Sequence, residues 1–165
     1  MIFKRIVLLP LLVLLTNLFT SSVVQSQNQS LYIGKKFGQQ LSVIEAMVDK
    51  KKALVLITSI SADKTLSTLD KLSVLASQSR MLHQLGQLDH AIDVAQKEQL
   101  LAKEFDLKQL EADAYKRVGV YAYYKGKYAL ALHSYQQALN YYSTLDEPIA
   151  QANLYNNIAL VHAKT

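Results

Sequence analysis

Residues 114–139 have the sequence AYKRVGVYAYYKGKYALALHSYQQAL, and this stretch decides the fold of the chain. Small and apolar side chains recur at helical spacing before Gly126, and the same spacing resumes after it. Glycine suits the left-handed backbone that ends many helices. The stretch therefore predicts two helices joined by a tight turn at residues 125–127.

This helical hairpin belongs to a repeat with a period of forty residues, at which Gly86 is matched by Gly126. Other identical pairs at this offset are Ala91 and Ala131, Gln96 and Gln136, Asp106 and Asp146, Ala112 and Ala152, and Tyr115 and Tyr155. A fixed period of this length is typical of helical solenoids. Asp106 and Asp146 lie where a new helix is expected, so we interpret both as helix-start residues.

The central copy has an early aromatic, a small residue four later, a turn glycine and then a small, aromatic, small series: Tyr115, Gly119, Gly126, Ala131, Tyr135 and Ala138. This pattern resembles the tetratricopeptide repeat (TPR). The resemblance implies an all-α fold, a right-handed α-α superhelix of helical hairpins, with repeats at 72–111 and 112–151 and a partial one at 152–165. The first copy is degenerate, with Ser79, Ala95 and Glu98 at family positions. The long spacing resembles that of bacterial extracytoplasmic sensors and regulators.

The N-terminal part has a different organisation. Lys4 and Arg5 precede a short apolar run, as in a secretory signal peptide, and small residues fit cleavage after Ser26. We therefore predict a signal peptide at residues 1–26, with an uncleaved membrane anchor as the alternative. Residues 27–37 are predicted to be a flexible lead-in, and residues 38–71 a degenerate helical pair.

Composition excludes several classes of function. The formal charge is +5, but the basic residues are spread along the chain, whereas a nucleic-acid surface requires a dense basic face. There is no cysteine, so no disulfide supports the fold. The four histidines form no metal motif, and no nucleophile or phosphate-binding motif occurs. We therefore expect no metal, no cofactor, no nucleic-acid partner and no enzyme activity.

The resemblance implies that the first helix of each repeat lines a concave groove. Tyr123 and Tyr124 come late on such a helix, and tyrosine is common in binding surfaces. The expected groove residues are Arg80, His83, Gln84, Lys116, Val120, Tyr123, Tyr124, Asn153 and Asn156. The carboxylate clamp known from some TPR domains is not supported, because Arg80 and Val120 occupy positions where that clamp has asparagine.

These features predict an exported, periplasmic or extracytoplasmic scaffold that binds a protein or peptide. The alternative is the sensor region of a membrane-bound diguanylate cyclase or histidine kinase, whose catalytic domain would follow this chain. Membrane contact is expected only through an uncleaved N-terminus or a further C-terminal segment. We also expect the chain to be incomplete, because Thr165 falls one place before the counterpart of Gly126 and no second helix follows to cover the apolar stripe of Leu154, Ile158 and Val161. The alternative is that the last helix packs back on the preceding pair and serves as its own cap.

Overall fold

A computed structural model describes residues 37–165, and helices account for most of them. Helix α1 covers residues 37–45 of this part. It is followed by α2 (Lys50–Ser61), α3 (Thr68–Gln84), α4 (Leu88–Glu104), α5 (Lys108–Tyr124), α6 (Tyr128–Thr144) and α7 (Pro148–His162). No strand occurs among the described residues. Residues 40–165 form one compact unit, and the packing below is that of this unit.

The period found in the sequence is the period of the helices. Helices α3, α5 and α7 begin at residues 68, 108 and 148, forty residues apart, and α4 and α6 begin at residues 88 and 128. From α2 to α7, each helix packs against the next along the chain. The predicted all-α helical repeat is therefore confirmed, with hairpins α3–α4 and α5–α6 followed by α7.

The N-terminal predictions meet the structure only in part. The predicted signal peptide at 1–26 and residues 27–36 of the predicted lead-in lie outside the described residues. Residue 37, the last of that lead-in, is helical. Residues 38–71 contain the remainder of α1, all of α2 and the first turn of α3. Within the described part of the chain, no helix is both long and apolar enough to span a bilayer.

The turns between helices repeat every twenty residues, which is half the sequence period. Gly86 and Gly126 have φ values of 73° and 79°, and Asp106 and Asp146 have φ values of 51° and 54°. All four are left-handed residues directly after a helix. Our interpretation of the two aspartates as helix-start residues is therefore wrong: they end α4 and α6. Aspartate is among the few non-glycine residues that tolerate this conformation.

One hydrogen bond closes each of these turns. The amide after the left-handed residue donates to a carbonyl five positions earlier, as in a Schellman motif. The pairs are Gln87 to Leu82 (2.9 Å), Leu107 to Ala102 (2.9 Å), Lys127 to Ala122 (2.8 Å) and Glu147 to Tyr142 (3.1 Å). Helices α4 to α7 have no side-chain cap at their start. The left-handed residue therefore ends one helix and sets the direction in which the chain enters the next.

Substitutions at two neighbouring turns should change the free energy of unfolding in opposite directions. No atom lies within 4 Å of a Cβ built on Gly126, so Gly126→Ala adds backbone strain without a clash. It should lower the free energy of unfolding by about 1–2 kcal/mol. Asp106→Gly removes such strain and should raise it by about 0.5 kcal/mol. Urea denaturation measures both, and a shift in the same direction would contradict the turn assignment.

Helices α3, α5 and α7 form one layer of the repeat. Helix α3 contacts α5 and α5 contacts α7, whereas no Cα atom of α4 lies within 8 Å of a Cα atom of α6. The layer whose helices approach one another is the inner side of a curved stack. We therefore call α3, α5 and α7 the inner layer, and the side on which α4 and α6 lie the outer side.

Small side chains allow the helices to approach closely. Eight alanines of α4, α5 and α6 are fully buried: Ala91, Ala95, Ala102, Ala112, Ala114, Ala122, Ala131 and Ala138. Buried rings of Tyr121, Tyr135 and Tyr142 fill the space that remains. Because these rings are packed among small side chains that hold the helices close together, each ring has few alternative positions.

The degenerate first copy is compensated by a ring from the next repeat. Its Ala95 stands where the second copy has Tyr135. The hydroxyl of Tyr121 lies 3.4 Å from the Ser79 hydroxyl, while the Tyr135 ring lies against Gly119, which is the counterpart of Ser79. A tyrosine side chain thus reaches the corresponding position in both copies, but it comes from α5 in the first and from α6 in the second.

Glu98 occupies a position where the repeat pattern has alanine, and its carboxylate is buried. It is 1% exposed and forms an ion pair with Arg117, whose Nε lies 3.1 Å from a Glu98 oxygen. Burial raises the pKa of Glu98, and the positive charge of Arg117 opposes that shift. The pair ties α4 to α5, so a position expected to hold alanine carries a buried charge.

The last helix packs back onto the preceding hairpin. Leu154 and Val161 are fully buried, and Ile158 packs against the same core. Our expectation that this apolar stripe lacks a cover is therefore wrong, because α7 turns the stripe towards α5 and α6. The residues that α7 leaves exposed lie on its other faces and include Ile149, Tyr155 and Leu160.

Candidate binding surface on the inner helices

The nine residues expected to line the groove all lie on the inner layer. Helix α3 carries Arg80, His83 and Gln84, helix α5 carries Lys116, Val120, Tyr123 and Tyr124, and helix α7 carries Asn153 and Asn156. Each is at least partly exposed. The layer differs along its length, with charged residues near the start of α5 and aromatic residues near its end.

An aromatic cluster joins the ends of α3 and α5. The His83 ring stacks on the Tyr121 ring with centroids 4.9 Å apart, and it meets the Tyr124 ring at 5.1 Å. Tyr123 contacts Tyr124 edge-on at 5.7 Å and Tyr128 at 6.0 Å. We call these five residues the aromatic cluster. Its rings hold one another in place, so the exposed Tyr124 ring is preorganised for contact with a partner.

Sequence reasoning missed Tyr121 and Tyr128 as members of this cluster. Tyr121 lies three residues before Tyr124 and therefore shares its side of α5. That spacing was a usable signal. Tyr128 opens α6, and its contact with Tyr123 depends on the geometry of the turn at Gly126, which spacing within one helix does not contain.

A cavity of about 100 Å³ lies beside the aromatic cluster, between α5 and α7. It is lined by Val120, Tyr123, Tyr124, Tyr135, Asn157 and Leu160. Three of these were expected groove residues, whereas Asn153 and Asn156 do not line it. Helix α7 instead contributes Asn157 and Leu160, one further step around the helix. The cavity is apolar except for the tyrosine hydroxyls and one amide, and no charged side chain lines it.

The cations expected on this surface are already paired. Arg80 Nη2 lies 2.5 Å from Glu45 Oε1 and 3.1 Å from Ser77 Oγ. Although burial acts to raise it, hydrogen bonds from Arg80 and Ser77 to the Glu45 carboxylate hold the pKa of Glu45 below its ordinary value. Lys116 lies 3.3 Å from Asp113 and over the Tyr142 ring at 5.7 Å. These paired charges make the inner layer a poor anion-binding surface.

Burial shifts the pKa values of His83 and Tyr135 in the directions that favour their neutral forms. Burial lowers the pKa of His83, so its imidazole is uncharged at neutral pH. Burial also raises the pKa of Tyr135 to about 12, and the neighbouring Tyr123 and Tyr124 add to that shift. No group of residues in the described part of the chain has the composition and arrangement of a metal site. What this surface offers chemically is apolar and aromatic contact with a few hydrogen-bonding groups.

Larger cavities lie on the outer side of the repeat. One of about 240 Å³ includes Gln99, His133 and Ser134, and one of about 320 Å³ includes Lys108 and Tyr141. The Gln99 amide already donates to Glu111 at 2.7 Å. The first cavity lies between α4 and α6 and the second is lined by α5 and α6 alone, and size by itself does not make either a binding site.

Comparison with known proteins is informative about the fold only. No protein-family model matches the chain, and no curated protein matches its sequence. The structure resembles BtubC (BKLC) from P. vanneervenii with a TM-score of 0.69 and 17% sequence identity. The match covers 88% of this chain and 63% of BtubC, so the chain spans less than two thirds of the length of that structure. By its fold, this chain is an all-α protein of the helical-repeat type.

Proposed function

We propose that this chain is a non-catalytic, TPR-like scaffold that works outside the cytoplasm and binds a protein segment on its inner layer. The single observation that carries the proposal is the uncharged cavity beside the aromatic cluster. Interfaces obtain most of their affinity from a few aromatic anchors in desolvated pockets. Here Tyr124 is 64% exposed at the edge of such a pocket.

The chemistry of the surface defines the partner. A cavity of about 100 Å³ is matched in size to one apolar side chain rather than to a cofactor. Asn157 at its wall provides an amide that can bond the partner's backbone. Because Arg80 and Lys116 are already paired with Glu45 and Asp113, we expect a partner segment with an apolar anchor and little net charge.

Selection of peptides on the purified protein tests this function. A displayed random peptide library should yield sequences with a recurrent apolar anchor, and Tyr124→Ala should weaken their binding by at least about 1 kcal/mol. Phe105→Ala is the matched control, since this ring is 51% exposed in the turn between α4 and α5. Calorimetry measures both affinities, and thermal melting verifies that each variant is folded.

We also expect the affinity for the partner segment to depend little on salt concentration. Binding that depends on apolar contact should change less than about threefold when the salt concentration rises from low to physiological values, since screening acts on charges. Selected peptides dominated by acidic residues would contradict the proposed partner class. Equal loss of affinity in Phe105→Ala and Tyr124→Ala would place the binding surface elsewhere.

A further inference from the structure

A pocket of about 170 Å³ lies near the start of α3, where the segment after α2 and the helix α4 approach it. The aromatic cluster is distant, because His83 lies at the other end of α3. Leucine and valine side chains line the pocket together with one serine and one lysine: Leu66, Val74, Leu75, Leu101, Ser61 and Lys71. Val74 is buried, and each of the leucines is partly buried. The pocket is therefore an apolar space with a cation at its wall.

The ammonium group of Lys71 is free to bind an anion. Lys71 is exposed, and none of the ion pairs in the described part of the chain includes it. The two carboxylates nearest to it in sequence are already hydrogen-bonded, since Asp70 binds Ser67 and Asp63 binds Thr65. An unpaired cation beside apolar walls favours a ligand that carries both an apolar body and a negative charge.

The corresponding place in the next repeat is filled by aromatic rings. At the offset of forty residues, the pairs are Lys71 and Glu111, Leu75 and Tyr115, and Leu101 and Tyr141. The Tyr115 and Tyr141 rings stack with centroids 6.2 Å apart. Burial raises the pKa of Tyr141 to about 12, and a hydrogen bond to the Glu111 carboxylate adds to that shift. A ring whose polar group meets the residue equivalent to Lys71 is therefore the natural filling of this place.

The first repeat differs from this arrangement in volume and in charge. Leucines replace the two tyrosines, so the space of a ring is left open at this place. An apolar cavity of about 150 Å³ is large enough to bind benzene. The charge is reversed as well, because a lysine replaces the glutamate that binds the tyrosine hydroxyl. A ligand that restores the filling must bring its own ring and an acidic group.

We propose that this pocket binds a small aromatic carboxylate, with the ring between Leu75 and Leu101 and the carboxylate on Lys71. The ring then takes the position that Tyr141 has in the next repeat. Because Lys71 is exposed, its ion pair contributes little affinity, and most of the affinity comes from burial of the ring. The cation determines which aromatic compounds are preferred. This site does not depend on the partner segment proposed for the inner layer.

Titration with phenylacetate, followed by the methyl NMR signals of Leu66, Leu75 and Leu101, tests the site. A ligand this small should bind with a dissociation constant of about 0.1–1 mM. The neutral 2-phenylethanol has the same carbon skeleton and should bind about three- to fivefold more weakly, because it forms no ion pair. Lys71→Met should weaken phenylacetate binding by the same factor and remove the preference for the acid. Equal affinities for the two compounds in the wild type would contradict the role of Lys71.

A variant that fills the pocket tests its position. Leu101→Tyr introduces the side chain that α6 has in the next repeat, and it should abolish phenylacetate binding up to about 10 mM. Lys51→Met is the control, because Lys51 is exposed on α2 and does not line the pocket, and it should bind like the wild type. Thermal melting verifies that each variant is folded. Unchanged binding by folded Leu101→Tyr, or no saturable shift of the three leucines in the wild type, would overturn the proposal.

Discussion

Replacing Arg117 with methionine is expected to lower the free energy of unfolding by about 3–5 kcal/mol, which is the usual cost of leaving a buried charge without its partner. Glu98 is 1% exposed, and the Arg117 side chain is 18% exposed. Removal of the guanidinium leaves a carboxylate between α4 and α5 that water does not reach. Urea denaturation of the purified variant measures the effect.

Two further variants isolate the cause. Lys116→Met breaks the half-exposed pair with Asp113 on the same helix and should cost less than about 1 kcal/mol. The double variant Glu98→Met with Arg117→Met removes both charges at similar volume and should regain most of the lost stability. If the double variant is as unstable as Arg117→Met alone, the loss comes from packing of the arginine stem and not from the unpaired carboxylate.

The pH dependence of Arg117→Met has a definite sign. Burial already raises the pKa of Glu98 above its ordinary value of 4.5, and loss of Arg117 should raise it further. A carboxyl with a raised pKa in the folded state binds a proton more readily there than in the unfolded chain. Stability of the variant should therefore increase as the pH falls from about 8 to about 5. A variant that loses stability over that range would contradict the raised pKa.

Tyr135→Ala should destabilise the second hairpin by about 3–5 kcal/mol. The Tyr135 side chain is buried among the small residues of α5 and α6, and deletion of its ring leaves a cavity that two helices held at close distance cannot collapse. Tyr124→Ala removes a ring of the same size that is 64% exposed and should cost much less. Thermal melting of both variants compares the buried ring with the exposed one.

The Tyr135 ring also determines whether Gly119→Ala stabilises or destabilises the protein. A Cβ on Gly119 would lie 2.5 Å from two atoms of the Tyr135 ring, so Gly119→Ala should cost about 1–3 kcal/mol in the wild type. In the Tyr135→Ala background the clash is gone. Alanine then favours the helix over glycine by about 1 kcal/mol, so the same substitution should stabilise the protein. A double-mutant cycle measures this reversal, and additive effects would disprove the contact.

The sequence was sufficient to predict the repeat because its signals are local. Helical spacing around Gly126 and identity at an offset of forty depend only on the order of residues, and α3, α5 and α7 begin at that interval. The turn period of twenty was missed for a chemical reason. Two of the four left-handed positions hold Asp106 and Asp146, and aspartate is also a common residue at the start of a helix. Composition at one position does not separate these two roles.

The sequence was sufficient to predict which helices form the inner layer but not which of their residues meet. A solenoid places the first helix of each repeat on one side, so the nine expected groove residues all lie on α3, α5 and α7. Which residues meet across helices depends on how far each helix is rotated about its axis. That rotation places Asn157 and Leu160 beside Tyr123, and it leaves Asn153 and Asn156 away from this cavity.

The sequence by itself determined the helical-repeat fold and the positions of its glycine turns, because periodic spacing encodes both. Only the tertiary structure decided the partners across helices: Tyr121 with Ser79, Arg117 with Glu98, and the Tyr135 ring over Gly119. These contacts join residues 16 to 42 positions apart, and they depend on whether the facing side chain leaves space. Complementary volume and charge between facing helices is a property of pairs, and a single sequence read along its length does not reveal which pairs form.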